Sequence, residues 1–210
     1  RAAKNEMCAR VAKLWGIAAD AVHWEDGSVK PAGPNAGDHP PMSIADIAAI
    51  ADETGGPIAG HHEVNADGAG VSFGVHLVDT EVDPETGATT VLRYTIFQDA
   101  GKAVHPDYVE GQMQGGAVQG IGWALNEEYI YGDDGLLQNA SLLDYRVPVA
   151  SDLPNIETVI LEIPNPGHPY GVRGVGETPI VPPLAAISNA VSRAAGIRLS
   201  ELPMSPPRVL

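Results

Sequence analysis

The chain has 210 residues, with 27 Asp and Glu against 12 Lys and Arg, a formal charge of −15. That balance leaves no basic stripe, which argues against nucleic acid or an anionic membrane surface as a partner. One cysteine, Cys8, excludes an internal disulfide framework and a Cys-cluster metal site, and no apolar run approaches the ~18 residues of a membrane span.

The length allows one large domain or two small ones. The first residue is Arg1, with no initiator Met, charged n-region or apolar h-region, so there is no signal peptide to read. Helical spacing begins at once: Ala2, Ala3, Met7, Val11 and Leu14 recur on one face, and Gly16 stops the helix. A chain that starts inside a helix suggests a piece of something larger; the alternative is a trimmed terminus.

Val22 to Lys30 reads as a hairpin, because Asp26-Gly27 is a strong two-residue turn signal. Pro31 to Pro41 is a loop by composition. Ser43 caps a second helix, Ile44 to Glu53, ended by Gly55-Gly56. A long hairpin follows: Val71 to Val82, the turn Asp83 to Gly87, then Thr89 to Gln98. Tyr129 to Tyr131 and Ile156 to Ile163 are further strand-like stretches, separated from the hairpin by a Gly-rich helix over about Pro106 to Glu128. A last helix spans about Pro183 to Ala195, with Gly196 as its stop. Helices and strands are intermixed without strict βαβ alternation. The expected class is α+β, antiparallel hairpins with packed helices.

Two segments stand out chemically. In the Gly-rich helix, Gly111, Gly115, Gly116, Gly120 and Gly122 fall within twelve residues, and each costs up to about 1 kcal/mol relative to Ala in a helix interior. Such a helix needs close backbone approach to something. Met113, Ala117, Ile121 and Ala124 form its core stripe, while Gln112, Gln119 and Asn126 form a polar stripe that could read a flat ligand with neutral amides. Close helix packing through small residues, with the glutamines merely solvated, is the alternative. The second segment contains Gly171, Gly174 and Gly176 just before Glu177. A carboxylate there, flanked by Val175 and prolines, is expected to be poorly hydrated and suited to general-base work; otherwise it is a helix-approach carboxylate or an ion-pair partner. The loop is neither a Walker motif nor a dinucleotide fingerprint.

The seven histidines offer no i, i+4 pair and no HExxH. His61 and His62, read as strand residues, point to opposite faces and cannot chelate together. Cys8 is expected to be a small buried hydrophobe, and Asp99 to end a strand and cap a turn.

Together and in order, these segments resemble the molybdopterin-binding large subunit of the xanthine dehydrogenase, aldehyde oxidase and carbon monoxide dehydrogenase family. The resemblance is carried by Glu81-Val-Asp-Pro-Glu-Thr-Gly87, Asp99-Ala-Gly101, Gly111-Gln-Met-Gln-Gly-Gly116 with Gln119-Gly-Ile-Gly122, and Gly171-Val-Arg-Gly-Val-Gly-Glu177. It implies that Glu177 is the catalytic base of a molybdenum hydroxylase, which transfers water-derived oxygen to an aldehyde or N-heterocycle while the cofactor carries the redox chemistry. It makes Gln119 a hydrogen-bond partner of the cofactor, with Gln112, Gly115, Gly116, Gly120, Gly174 and Gly176 as further cofactor contacts and no side-chain metal ligand. The implied cofactor is molybdenum-molybdopterin, its cytosine dinucleotide form suggested by the bacterial type of the likeness. [2Fe-2S] clusters and FAD are expected on an iron–sulfur subunit and a flavin subunit.

The Phe-Gly segment and much of the substrate pocket of that family lie outside this sequence. Residues 1–210 are therefore expected to form the C-terminal portion of the cofactor-binding domain, as a fragment or a split subunit. Such a portion is inactive alone and is completed by the remainder of the molybdenum subunit. The expected compartment is the cytoplasm, or the periplasm if a partner carries an export signal. A non-catalytic cofactor-loading or assembly module is the alternative function.

Overall fold

The computed structural model describes residues 1–63 and 70–210. The chain divides into two compact units, Arg1–Asn65 and Ala66–Leu210.

In the first unit, helix α1 (Ala2–Trp15) ends where Gly16 adopts the left-handed conformation at φ 69°, as the stop signal requires. Strands β1 (Val22–Glu25) and β2 (Ser28–Pro31) pair antiparallel around Asp26-Gly27, both at positive φ. That is the primed turn which matches strand twist. Strand β3 (Met42–Ser43) adds to β2, so the Pro31–Pro41 loop lies inside this unit. Helix α2 (Ile44–Ala49) is shorter than the spacing predicts. Ser43 and Asp46 form its capping box, and Asp52–Thr54 continues as a separate 3-10 turn. Met7, Val11, Ala12, Val22, Val29 and Ile47 make the core. Cys8 is half-buried beside it, and burial pushes its thiol pKa up. His61 and His62 are exposed coil rather than strand.

The second unit is built on a three-stranded sheet, β4 (Phe73–Val82), β5 (Thr89–Asp99) and β6 (Ile156–Leu161), with β5 central. The β4–β5 hairpin is antiparallel, as expected, with a bulge after Asp79 that leaves Leu92 unpaired. The extra residue switches the inward parity from Tyr94, Ile96 and Gln98 to Val91. β6, which belongs to neither hairpin, runs parallel to β5. A parallel pair requires a crossover, and helix α3 (Pro106–Leu125) with the long segment after it supplies one. Tyr129–Tyr131 forms no strand; only Tyr131 bridges to Leu137.

α3 and helix α4 (Pro183–Ala195) cover one face of the sheet, and a last turn, α5 (Pro206–Val209), closes the core. Met113, Ala117, Ile121 and Ala124 are all buried, as the stripe predicts, against Tyr94, Ile96, Ile156, Ile187 and Val191. The fold is a mixture of helix and sheet. Among the described residues no helix is long and apolar enough to cross a membrane.

His76 lies within this core, its Nδ1 2.8 Å from the Tyr94 hydroxyl and its Nε2 buried without a partner among the described residues. Burial pushes its pKa from 6.5 down to about 4 and that of Tyr94 up. The folded state therefore holds His76 neutral, while the unfolded chain takes up a proton below about 6.5. The stabilisation is complete above that pH and is lost as pH falls towards 4, up to about 3 kcal/mol in all. Equilibrium unfolding at pH 7 and pH 4.5 should show a larger stability loss in the wild-type protein than in His76→Phe. Equal losses would remove His76 from the acid response.

Candidate active site

The site is built where the C-terminal end of β5 meets the Gly171–Glu177 loop and α3. The loop is tied to β5 throughout its upstream half. Lys102 N and Asn165 N both donate to Gly171 O, Gly101 bridges Val172, and Arg173 N donates to Ala100 O. Gly171 sits at φ 69°, with the loop's turn folded over Pro164.

A nearly buried ion pair reinforces this. Arg173 Nε lies 3.0 Å from Asp99 Oδ2, with side-chain exposures of 12% and 7%. Asp99 Oδ1 also accepts from Gly101 N at 2.9 Å and Ile163 N at 3.3 Å. The expected turn cap is present, and it belongs to a larger junction. Arg173 Nη1 reaches Val71 O at 2.7 Å, and Ser72 Oγ donates to Asp99 O at 2.7 Å. Residues 71–72 are thereby fixed beside the loop.

Glu177 follows directly. It is exposed and borders an open cleft of about 370 Å³ with Ser72, Phe73, Gly74, Thr178 and Pro182. The expectation of a poorly hydrated carboxylate therefore does not hold for this chain. Of the prolines after it, Pro179 and Pro183 pack onto α3, while Pro182 borders the cleft. Glu177 is the N-cap residue of the 3-10 turn Thr178–Ile180, yet its side chain makes no capping hydrogen bond.

The glycines of α3 separate into two sets. A Cβ at Gly116 would stand 2.6 Å from Pro179 Cγ, and one at Gly120 would stand 2.5 Å from Pro183. Gly122 is filled by Glu127 and Pro148. These three glycines give the close approach that the sequence demands, and the occupant is the chain's own backbone and prolines. Gly111 and Gly115 have open space above them, as does Gly174 in the loop.

Gln112 and Gln119 are both exposed on the open side of α3, about 10 Å apart along the axis. Gln114, by contrast, is tied to Ile156 O. Gln112 Oε1 would lie 3.0 Å from a Cβ at Gly176, so this amide lies against the loop one residue before Glu177. Gln112 and Val175 also line a shallow depression of about 240 Å³ with His105 and Tyr108. The structure thus sets Gln112 against Gly176, the residue before Glu177, while Glu177 itself borders the other cleft, and Gln119 lies two helical turns beyond. Another cavity, of about 440 Å³ between Thr89, Asn126, Arg146 and Met204, takes in Asn126 of the polar stripe but none of the residues that the family resemblance assigns.

Two participants were not legible as such. Gln98 is fully buried, and its Nε2 donates to Val175 O at 3.1 Å. A glutamine in step with Tyr94 and Ile96 was the available signal, since it occupies an inward strand position. Arg173 lies within the recognised motif, but its pairing with Asp99 depends on the fold.

The donor set suits an organic cofactor rather than a protein-ligated metal. Two exposed carboxamides and unfilled backbone above Gly115 and Gly174 match a flat, polar group, and no His/Cys/Asp/Glu metal cluster exists among the described residues.

The family model described as the molybdopterin cofactor-binding domain matches residues 1–154. The xanthine dehydrogenase molybdenum-binding subunit of Escherichia coli O157:H7 is 38% identical over 176 residues, which cover 82% of this chain and 23% of that protein. The aldehyde oxidoreductase of Megalodesulfovibrio gigas is 37% identical over 139 residues, 66% of this chain and 15% of that protein. The crystal structure of quinoline 2-oxidoreductase from Pseudomonas putida 86 superposes over 99% of this chain and 27% of its own, with TM-score 0.78 and 30% identity. The chain belongs to the family of molybdopterin cofactor-binding domains found in the molybdenum-binding large subunits of xanthine dehydrogenase-type enzymes. It spans about a quarter or less of the length of these relatives.

Proposed function

We propose that this chain forms one wall of a molybdenum hydroxylase active site, with Glu177 as the general base in the oxidative hydroxylation of an aldehyde or N-heterocycle. The observation that carries this reading is an exposed carboxylate with no capping bond of its own, on a loop pinned to the end of β5 and bordering an open cleft. When bound, molybdenum-molybdopterin supplies the two-electron redox chemistry. Glu177 accepts a proton at its carboxylate as the oxygen nucleophile attacks, within reach of a substrate in the cleft beside Phe73 and Gly74. Gln112 and Gln119 present carboxamides to the cofactor's polar edges, and Gly115, Gly174 and Gly176 admit its close approach. Gly116 and Gly120 seat Pro179 and Pro183 instead.

The remainder of the molybdenum subunit completes the site. Phe73, Val75 and Leu77, between 57% and 65% exposed on the outer sheet face, give it an apolar surface to cover. Iron–sulfur and flavin subunits accept the electrons. Several relatives are themselves named as subunits, among them the nicotine 6-hydroxylase large subunit.

The base assignment is tested by single-turnover reduction of the complete enzyme carrying Glu177→Gln, with molybdenum content measured alongside. The cofactor assignment is tested at Gln119. A neutral hydrogen bond contributes roughly 0.5–1.5 kcal/mol net, and an orphaned buried partner costs roughly 1–3 kcal/mol. Gln119→Ala should therefore lower molybdenum per subunit while the loaded sites keep their rate. Unchanged occupancy by mass spectrometry would return Gln119 to a solvated helix face.

A further inference from the structure

Glu177 lies midway between two anchors, each two residues away. At Val175, the backbone carbonyl accepts from Gln98 Nε2 at 3.1 Å, and Gln98 is itself fully buried in the inward row of β5. At Pro179, the buried ring sits in the slot left by the missing side chain of Gly116, where a Cβ would stand 2.6 Å from Cγ and 3.2 Å from Ile180 N. The residues beside Glu177 on its upstream side are the most permissive available. Gly174 and Gly176 flank Val175, and no atom stands within 4 Å of a Cβ at Gly174. A carboxylate on such a segment would sample many positions unless its neighbours were fixed, whereas proton transfer requires it within about an ångström of one position.

We infer that Gln98 and Gly116 are positioning residues for Glu177. Gln98 holds the segment from the sheet side and Gly116 holds it from the α3 side, by admitting Pro179. Neither touches the carboxylate; both set where the backbone delivers it. Packing alone does not account for Gln98. An apolar residue would fill that inward position as well, and glutamine leaves its Oε1 buried without a partner among the described residues, a cost tolerated for the bond to Val175. The assignment differs from the cofactor contact that the family resemblance gives Gly116, because the space beside Gly116 is already taken by Pro179. This inference rests on the reading of Glu177 as the base.

The test uses the complete molybdenum enzyme with Gln98→Leu and Gly116→Ala, each made in the wild-type and the Glu177→Gln backgrounds. Three quantities are measured: molybdenum per subunit, hydrogen exchange of the backbone amides around residues 174–178, and the single-turnover reduction rate per molybdenum-containing site. The substrate is any aldehyde or N-heterocycle that the wild-type enzyme turns over. Positioning predicts molybdenum content near wild type, exchange around Glu177 accelerated at least tenfold, and reduction slowed roughly 10- to 100-fold. It further predicts that in the Glu177→Gln background neither substitution slows the reaction more than about twofold further, because the group they position is already gone.

Unchanged exchange around Glu177, molybdenum loss without it, or rate losses that multiply in the Glu177→Gln background would overturn the inference. Wild-type rates for both anchor variants beside a slow Glu177→Gln would overturn positioning and leave the base assignment standing. A Glu177→Gln enzyme that reacts at the wild-type rate would overturn the base assignment instead, and with it any role of the anchors in proton transfer.

Discussion

Replacing Glu177 by glutamine in the complete enzyme is expected to slow reduction by substrate at least 10²- to 10⁴-fold, the usual worth of a general base, with molybdenum content unchanged. Glutamine keeps the volume and the hydrogen-bonding reach of glutamate but cannot take up the proton. The side chain makes no capping bond, so the substitution removes little that the fold uses. This separates the chemical role from the structural one: a carboxylate that only capped a turn or paired with a cation would cost about 1 kcal/mol of stability and leave the chemistry intact. The pH profile of kcat/KM should also lose its acidic limb, since that limb reports the free enzyme's essential base. Stopped-flow reduction of a molybdenum-replete Glu177→Gln enzyme at a rate within a few-fold of wild type would end the assignment.

The helices were legible because their signals are local. Gly16 and Gly196 stop α1 and α4 in left-handed conformations, and the buried stripe of α3 follows from spacing alone. The two hairpins were legible for the same reason, each joined by its own turn. What escaped was long-range. The parallel pairing of β6 with β5 depends on a crossover of more than fifty residues between Asp99 and Ile156, and no turn chemistry announces it. The division into two units was equally hidden, because the Pro31–Pro41 loop has the composition of a linker but lies within the first unit, between β2 and β3.

At the site, spacing and the family resemblance name candidate residues but not what each one touches. The spacing of the α3 glycines allows either room for a ligand or close packing through small residues. The structure fills Gly116, Gly120 and Gly122 from within and leaves Gly111 and Gly115 open, a distinction set by the segment that folds onto the helix. The hydration of Glu177 was misjudged for a similar reason. Prolines close in sequence need not enclose the carboxylate: Pro179 and Pro183 pack against α3, and Pro182 borders a cleft that stays open. Gln98 and Arg173 act through partners far away in sequence, Val175 and Asp99 respectively, and such pairings become visible only once the sheet is assembled.

The junction that carries this site should also be its most sensitive point in folding. Asp99→Ala is expected to destabilise the second unit by about 3–5 kcal/mol, the cost of leaving one member of a buried ion pair without its partner. Arg173 would keep its bonds to Val71 O and Ile163 O but carry an uncompensated charge at 12% exposure. Gly101 N and Ile163 N would lose their acceptor at the same time. Asp99→Asn separates these contributions: its amide oxygen can still accept from the two backbone groups while the charge is gone, so its loss should be smaller than that of alanine. Urea unfolding followed through Trp123, which lies in this unit on α3, gives both values. Within the folded population of Asp99→Ala, exchange should rise first at residues 171–173 and 71–72, which the pair ties together, while the α3–α4 core stays protected. A loss below about 1 kcal/mol would mean that the pair behaves like an exposed surface bridge, and the loop would then owe its place to the backbone bonds of Gly171 and Arg173 together with the anchors at Val175 and Pro179.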